Sequence, residues 1–169
     1  MVLLSSTKTG SANQKIVDFF TQKTTTFFDT ETYPLSTLPF FNPDLEMSLL
    51  PDSVVDFRQK IDNADGVLIC TPEYIFSIPG ILKNALEWTV STIVFHEKPT
   101  AIITAASSGD AAHASIQLIM HTIGSIIPEK CAILIKSPKA KMNDLGEITD
   151  LKTIELMDDL IQNLKENIG

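Results

Sequence analysis

Four short apolar runs, each followed by a stretch of helical periodicity, constrain the fold of this chain more than any other feature. The runs are "VLL" (2–4), "GVLIC" (66–70), "TAIITAA" (100–106) and "CAILI" (131–135). Continuous apolar runs of this length are typical of parallel strands that are buried on both faces. Thr25 to Phe28 is β-branched and aromatic, which suits a further strand. The pattern predicts an α/β three-layer sandwich around a five-stranded parallel sheet.

Apolar residues at helical spacing predict five helices that cover this sheet. They span 12–22, 52–63, about 78–91, about 111–123 and about 149–167, whereas the segment 30–50, with three prolines, is expected to be irregular. Ligands of such sheets bind at the carboxyl ends of the strands, where the winding reverses. A site is therefore expected in the loops after the "VLL", "GVLIC" and "TAIITAA" runs.

Length and composition favour a single globular unit. The chain has 169 residues, of which 44% are hydrophobic and 20% charged, so one domain over residues 1–169 is predicted. Thirteen basic and twenty-one acidic residues give a net charge of −8, which disfavours nucleic-acid and anionic-membrane partners. No apolar run reaches the roughly 18–20 residues of a membrane span, and Met1 to Leu4 is too short for a signal peptide. We expect a cytoplasmic protein.

Two cysteines, Cys70 and Cys131, lie in separate apolar runs, and neither has a second cysteine or a histidine at metal-ligand spacing. Buried structural thiols in a reducing compartment are the favoured interpretation. No metal site is expected.

The loop "SSTKTGSANQK" (5–15) is rich in hydroxyl groups and lies directly before a predicted helix. Free backbone N–H groups and the positive end of the helix dipole favour an anion there. Hydroxyl donors together with Lys8 suit a phosphate monoester. The alternative is a capped helix start with a polar turn. The position after the first strand favours phosphate binding.

The loop "TPEYIFSIPG" (71–80) is stiffened by Pro72 and Pro79, and Gly80 allows a close backbone approach at a helix start. Tyr74 could stack on a planar ring, with loop packing as the alternative. Glu73 has no evident partner carboxylate for acid–base chemistry. Packing within the fold is the favoured interpretation of Trp88, further along the chain.

The third loop, "ASSGDAAHAS" (106–115), forms a small-residue turn in which Asp110 could cap the next helix. His113 is more typical of a surface residue than of a catalyst in this position. A phosphate cradle, a rigid aromatic loop and a hydroxyl-lined loop meeting at one edge fit a phosphorylated planar cofactor. FMN is the leading candidate.

The segment "TPEYIFSIPGILKNALEW" (71–88) resembles the flavin loop and following helix of the NAD(P)H-dependent FMN reductase family, which includes chromate and azo-dye reductases. "SSTKTGSANQKI" (5–16), "LPFFNPDLE" (38–46) and "SSGDAAHASIQLIMHTIG" (107–124) are similar to that family's phosphate loop, middle segment and third loop. The resemblance spans nearly the whole chain. It implies a flavodoxin-like fold with strand order 2-1-3-4-5, non-covalent FMN, NADPH or NADH as co-substrate, and a homodimer or homotetramer.

The resemblance also implies a set of FMN-binding residues. Carried over position by position, the phosphate contacts are Ser6, Lys8, Ser11, Asn13 and Gln14, the isoalloxazine contacts are Pro72, Glu73, Tyr74 and Ile75, and the pyrimidine contacts are Ser107, Ser108 and Gly109. No side chain is expected to be catalytic in its own right, because the flavin itself takes up the hydride and the protein supplies placement and electrostatics. The implied acceptor is a small molecule: a quinone, a flavin, an azo compound or a metal oxyanion.

The chain departs from the family pattern at several positions. The substituted positions are Ser5 for glycine, Lys8 for arginine, Ile75 for asparagine, and Ala111 and Ala112 for paired glycines. Arg58 is the only arginine and lies on a helix away from the predicted site. Because arginine is the usual partner of a 2′-phosphate, we expect weak discrimination between NADPH and NADH.

Two alternatives stay open beside the reductase. A flavodoxin-type electron carrier would bind FMN without oxidising nicotinamide, and "TKTGSA" (7–12) is close to a flavodoxin phosphate loop. The helix start "PGILKN" (79–84) resembles the reductases instead. A non-enzymatic flavin-binding or interaction protein on the same fold is the second alternative, compatible with the substitutions above. The reductase is favoured.

Overall fold

The structure is a computed structural model that describes residues 1–168. Within this part of the chain, one sheet contains four parallel strands in the order β1-β2-β3-β4. The strands are β1 (Val2–Leu4), β2 (Val67–Thr71), β3 (Thr100–Ala106) and β4 (Ala132–Lys136). Leu3 is paired with Ile69, and Ile69 with Ile102. The four apolar runs of the sequence are thus the four strands.

Within residues 1–168, six α-helices connect and cover these strands. They are α1 (Ala12–Thr24), α2 (Pro43–Ser48), α3 (Asp52–Asn63), α4 (Gly80–Glu87), α5 (Asp110–Thr122) and α6 (Leu151–Ile168). Short 3-10 helices occupy Leu35–Thr37 and Pro138–Lys141. α2 lies inside the segment predicted to be irregular; the Asn42 side chain caps it by accepting the Asp44 N–H. α4 begins later than predicted, because Pro79 is still extended.

The prediction of five strands in the order 2-1-3-4-5 is wrong. Thr25 to Phe28 forms a turn instead of a strand, because the N–H groups of Phe27 and Phe28 both bond to the Thr24 carbonyl at the end of α1. The outer edge of β1 carries a single parallel bridge, between Val2 and Thr32. Pro34 follows it, and the chain then turns into the 3-10 helix.

The sheet is covered on both faces, as the continuous apolar strands predict. α1 and α6 pack on one face, where Phe20 and Leu164 join a cluster that includes Leu68 and Cys70 of β2. α3, α4 and α5 pack on the other face, on the cluster that contains Ile69 of β2. Alternate residues of one strand therefore reach opposite clusters, which is the physical reason for its unbroken apolar sequence.

Two polar anchors secure the helices of the α3–α5 face. The guanidinium of Arg58 donates to both carboxylate oxygens of Glu46 at 2.7 Å and, through Nε, to the Trp88 carbonyl at 2.7 Å. The Trp88 indole is buried and donates to the Pro39 carbonyl at 2.8 Å, so the packing interpretation of Trp88 is confirmed. Both cysteines are free and buried, and burial raises the pKa of Cys131 to about 11.

None of the described helices combines the length and the apolar character needed to cross a membrane.

Candidate functional site

The loop after β1 presents free backbone donors at the start of α1. In the described part of the chain, the N–H groups of residues 6–10, Ala12 and Asn13 have no hydrogen-bond partner. Gly10 has a φ of +64°, and a side chain there would meet nothing within 4 Å. Ser5 lies beneath the loop, buried, and its Oγ donates to Thr71 Oγ1 at 2.8 Å. Open space lined by unpaired N–H groups is what an oxyanion needs.

Three predicted phosphate residues already have partners for their side chains. Ser11 caps α1 by accepting the Gln14 N–H at 3.1 Å. Asn13 turns inward, and its amide donates to the Ala105 carbonyl of β3 at 3.1 Å. The Gln14 amide donates to Asp18 along the helix at 2.8 Å. The backbone N–H groups of Ser11 and Gln14 are also paired, so among these three residues the Asn13 N–H is the donor left for a phosphate.

Two lysines bring positive charge to the start of α1. The Lys8 side chain is exposed, and its ammonium group forms no hydrogen bond or ion pair with any other described residue. Lys15, in the first turn of α1, lies against Gly146 in the loop between β4 and α6, and any side chain at Gly146 would collide with its ammonium group. Lys15 is a functional candidate that the sequence analysis did not single out. Lys15 lies four residues after Ser11, which caps α1, so the two share one face of the helix. This spacing is the sequence feature that could have identified Lys15.

The loop after β2 ends in a strained two-residue turn. Tyr74 and Ser77 exchange backbone hydrogen bonds at 2.9 and 3.1 Å. Between them, Ile75 has a φ of 51° and Phe76 a φ of 54°, the left-handed values that type I′ turns require. Ile75 is 96% exposed, Phe76 80% and Tyr74 51%. A β-branched residue in this region is a conformational outlier, and such strain clusters at ligand sites.

Glu73 connects the second loop to the third. Its carboxylate oxygens accept the backbone N–H groups of Gly109 at 3.1 Å and Ala112 at 3.0 Å. These donors belong to the N-terminus of α5, where a negative charge is stabilised by the helix dipole. Gly109 has a φ of 92°, and a Cβ there would come within 2.6 Å of Leu134 Cδ1. Glu73 therefore stabilises the start of α5 and does not act as one of a pair of carboxyl groups in acid–base chemistry.

The third loop keeps its hydroxyl groups at the surface. Ser107 and Ser108 are exposed, and the Ser108 hydroxyl donates to Asp110. Lys136 pairs with the same carboxylate at 2.8 Å and holds the pKa of Asp110 below its usual value. The expectation that Asp110 caps the helix through its side chain is not met, because the backbone donors at this helix start are taken by Glu73.

His113 is half-buried behind this loop, not on the open surface. Its Nδ1 lies 2.9 Å from the Thr104 hydroxyl of β3. Desolvation by burial lowers the pKa of His113, and the nearby Asp110 carboxylate partly opposes that shift. The neutral imidazole is therefore the form that the folded protein favours.

Ten of the twelve predicted contact positions lie in three loops at the carboxyl edge of β1, β2 and β3, and the other two, Asn13 and Gln14, lie in the first turn of α1. Unpaired N–H groups and Lys8 are at one end, and exposed aromatic and aliphatic side chains are at the other. This arrangement can hold an anion and a flat apolar ring at the same time. Which of the twelve residues contact a ligand stays a prediction.

Comparisons with known proteins agree with this arrangement. The model of the family of NADPH-dependent FMN reductases matches residues 1–137. An NAD(P)H-dependent FMN reductase of Pseudomonas aeruginosa is 31% identical over 137 residues, covering 78% of this chain and 74% of the relative. A 2-hydroxy-1,4-benzoquinone reductase of Burkholderia sp is 28% identical over 158 residues, covering 90% of this chain and 86% of the relative.

Solved structures show the same fold. FerB, a flavoenzyme NAD(P)H:(acceptor) oxidoreductase from Paracoccus denitrificans, superposes with a TM-score of 0.80 at 23% identity and covers 99% of this chain and 94% of its own. Azoreductases and an archaeal flavodoxin also match over nearly the whole chain. The α/β fold is therefore flavodoxin-like.

Proposed function

Because this chain belongs to the family of NADPH-dependent FMN reductases, we propose that residues 1–169 form one FMN-binding domain that oxidises NADPH or NADH and reduces a small acceptor. The enzyme class is that of an NAD(P)H-dependent FMN oxidoreductase. The observation that carries the site assignment is the convergence of three loops at one sheet edge, two of them joined through Glu73.

The loop after β1 fits the phosphate end of FMN. Its unpaired N–H groups and the start of α1 supply donors and a favourable dipole, and Lys8 adds a charge that no described residue pairs with. The hydroxyl of Ser6, which is partly exposed, is a side-chain donor within this run of amides. Asn13 contributes its backbone N–H, and Ser11 and Gln14 contribute by fixing the helix start.

The second and third loops fit the ring end. Pro72 and Glu73 place backbone against one edge of the ring site, and Tyr74 and Ile75 offer apolar surface. Ser107, Ser108 and Gly109 form the opposite border. When bound, FMN supplies the chemistry of hydride and electron transfer. The chain contributes by orienting the ring, keeping one ring face accessible and surrounding the ring with fixed dipoles.

The acceptor is a small molecule, and a quinone is the class best supported because a relative that covers most of this chain is a benzoquinone reductase. Flavins, azo compounds and metal oxyanions are further candidates. Arg58 is engaged by Glu46 and Trp88 and so is not available for a 2′-phosphate. This supports use of both NADPH and NADH.

Assembly and compartment are part of the same proposal. Val90 and Ile93 follow α4 and are 65% and 80% exposed, and this apolar surface supports a homodimer or homotetramer. The two free, buried thiols support a reducing compartment, the cytoplasm. Sedimentation of the wild type against a Val90→Ser, Ile93→Ser variant tests the interface.

The experiment that tests the function is an anaerobic titration of the purified protein, supplied with FMN, with NADH and then NADPH. Loss of the oxidised flavin absorbance at a stoichiometric amount of reductant is expected, followed by reoxidation when benzoquinone is added. Flavin that binds but stays oxidised would contradict the reductase and favour an electron carrier. Failure to bind FMN at all would contradict the site itself.

A further inference from the structure

A cavity of about 750 Å³ lies at the amino edge of the sheet, at the opposite end from the three loops described above. Volumes of this size are typical of small-molecule sites. The cavity lies where a fifth strand was expected. Thr25 to Phe28 forms a turn there, and the edge of β1 beyond the single bridge at Thr32 is left without a neighbouring strand. The space is thus a consequence of this chain's own topology.

One wall of the cavity is aromatic. Phe20, Phe27 and Phe28 line it, and the rings of Phe27 and Phe28 meet edge to face at 4.9 Å. Phe27 is 37% exposed, so an aromatic surface is open to a ligand. The ammonium of Lys165 lies 4.5 Å from the centre of the Phe27 ring. The Lys165 ammonium thus already forms a cation–π contact with Phe27, which shows that a cation can lie over this ring.

The electrostatics of the cavity also favour a cation. The last turns of α3 and α6 contribute lining residues, and helix C-termini carry partial negative charge. Asp29 and Asp65 are exposed lining residues, and neither forms a hydrogen bond or ion pair with another described residue. The third lining carboxylate, Glu31, is paired with Lys60. The carboxylates of Asp29 and Asp65 therefore remain available to bind a ligand.

The amino group of Met1 lies inside the cavity and is subject to the electrostatic field of these charges. It donates to the Gly66 carbonyl at 2.9 Å. Burial lowers the pKa of that amino group, whereas the charges of Asp65, Glu31 and Asp29 act in the opposite direction. The three carboxylates thus act on one point of the cavity wall, where burial and the charge of Lys98 outweigh them and the pKa of the amino group is lowered overall.

From the aromatic wall, the unpaired carboxylates and the converging helix ends, we propose that this amino-edge cavity is a second ligand site, for an organic cation with a flat apolar body. The ring of such a ligand stacks on Phe27, and its ammonium lies between Asp29 and Asp65. The site is separate from the FMN loops and stands on observations independent of the reductase function.

The test uses the full-length protein loaded with FMN and three probes of one shape. Tryptamine carries the cation, tryptophol is its neutral counterpart and indole-3-propionate its anionic counterpart. Amide chemical shifts are followed by NMR during each titration. Tryptamine is expected to shift the amides of Asp65, Gly66 and Lys165 in a saturable way, whereas the other two probes bind at least several-fold more weakly.

Matched variants separate charge from aromaticity. Replacing both carboxylates (Asp29→Asn with Asp65→Asn) should weaken tryptamine binding about fivefold, whereas Asp144→Asn, an exposed carboxylate in the loop after β4, should not change it. Phe27→Leu should weaken binding about threefold, whereas Phe40→Leu, at a 90% exposed phenylalanine elsewhere, should not.

The proposal is overturned by any of three results. These are the absence of saturable shifts at the cavity amides, equal affinity for the anionic probe, and affinity that the cavity variants and their controls change alike. Shifts confined to Tyr74 and Ser108 would place tryptamine at the flavin loops and would also overturn it.

Discussion

The carboxylate of Glu73 lies 3.0 Å from the backbone nitrogen of Ala112, which is thirty-nine positions further along the chain. Its other oxygen accepts the Gly109 N–H at 3.1 Å. One side chain from the loop after β2 therefore completes the start of α5. Both loops are flavin loops in the proposed function, so Glu73 fixes their separation.

Glu73→Ala should lower the free energy of unfolding by about 1–3 kcal/mol, because two backbone donors lose a charged acceptor. FMN affinity should fall with it, since the spacing between the two loops is no longer held. Urea denaturation and a fluorescence titration measure the two effects. Glu87→Ala, which removes an exposed carboxylate paired with Lys83 four residues earlier, is the control. Equal effects of the two substitutions would show that the connection between the loops has no role.

Ile75→Asn should stabilise the protein. Ile75 adopts a φ of 51°, and a left-handed conformation costs a β-branched residue about 1–2 kcal/mol, whereas asparagine tolerates it. We expect the urea midpoint to rise with no change in the slope. Ile93→Asn is the matched control, because Ile93 is 80% exposed and is absent from the residues of positive φ. A rise of the same size in the urea midpoint at both positions would show that replacing an exposed apolar side chain with a polar one is the whole effect.

Asn13→Ala should act on folding more than on phosphate contact. The Asn13 amide is buried and donates to the Ala105 carbonyl, which would be left without this donor. The expected loss is about 1–3 kcal/mol of unfolding free energy. Asn167→Ala, in the last turn of α6, removes an exposed amide and should cost less. An unchanged stability with strongly reduced FMN affinity would show instead that Asn13 turns toward the phosphate.

His113 should make stability depend on pH. Burial lowers the pKa of His113 in the folded state relative to the ordinary value of 6.5, so the unfolded chain binds the proton more readily. The contribution of His113 to stability is complete above pH 6.5 and is lost as the pH falls through 6.5 toward the lower folded pKa.

The measurement is the stability of the wild type minus that of His113→Gln, at intervals from pH 7.5 to about 5. This difference should shrink as the pH falls. His121→Gln, at an exposed position of the same helix, should give a difference that changes little. A constant difference for His113→Gln would mean that its protonation is not coupled to folding.

NADH and NADPH should be used with similar efficiency. A charge-assisted hydrogen bond to the 2′-phosphate would contribute about 1.5–3 kcal/mol, but Arg58 is held by Glu46 and Trp88. We therefore expect the two kcat/KM values to lie within about tenfold of each other. Arg58→Lys should leave that ratio unchanged. A preference for NADPH beyond about a hundredfold, or one abolished by Arg58→Lys, would contradict this account.

The amino-acid sequence by itself determined the four buried strands, five of the six helices around them and the edge at which a site could form. Burial on both faces demands unbroken apolar runs, and helices leave a periodic pattern, so both are visible locally. The resemblance of residues 71–88 added the flavin assignment, which the family comparison confirms.

Only the tertiary structure decided the features that depend on residues far apart in the chain. The fifth strand is absent because Thr25 to Phe28 bonds back to the end of α1 instead of pairing with β1. Asn13 faces inward because an acceptor ninety-two positions away, in β3, satisfies its amide. Glu73 became a helix cap because α5 starts beside its loop. Such partners are chosen by the folded geometry, which brings together polar groups that must be satisfied once they leave water.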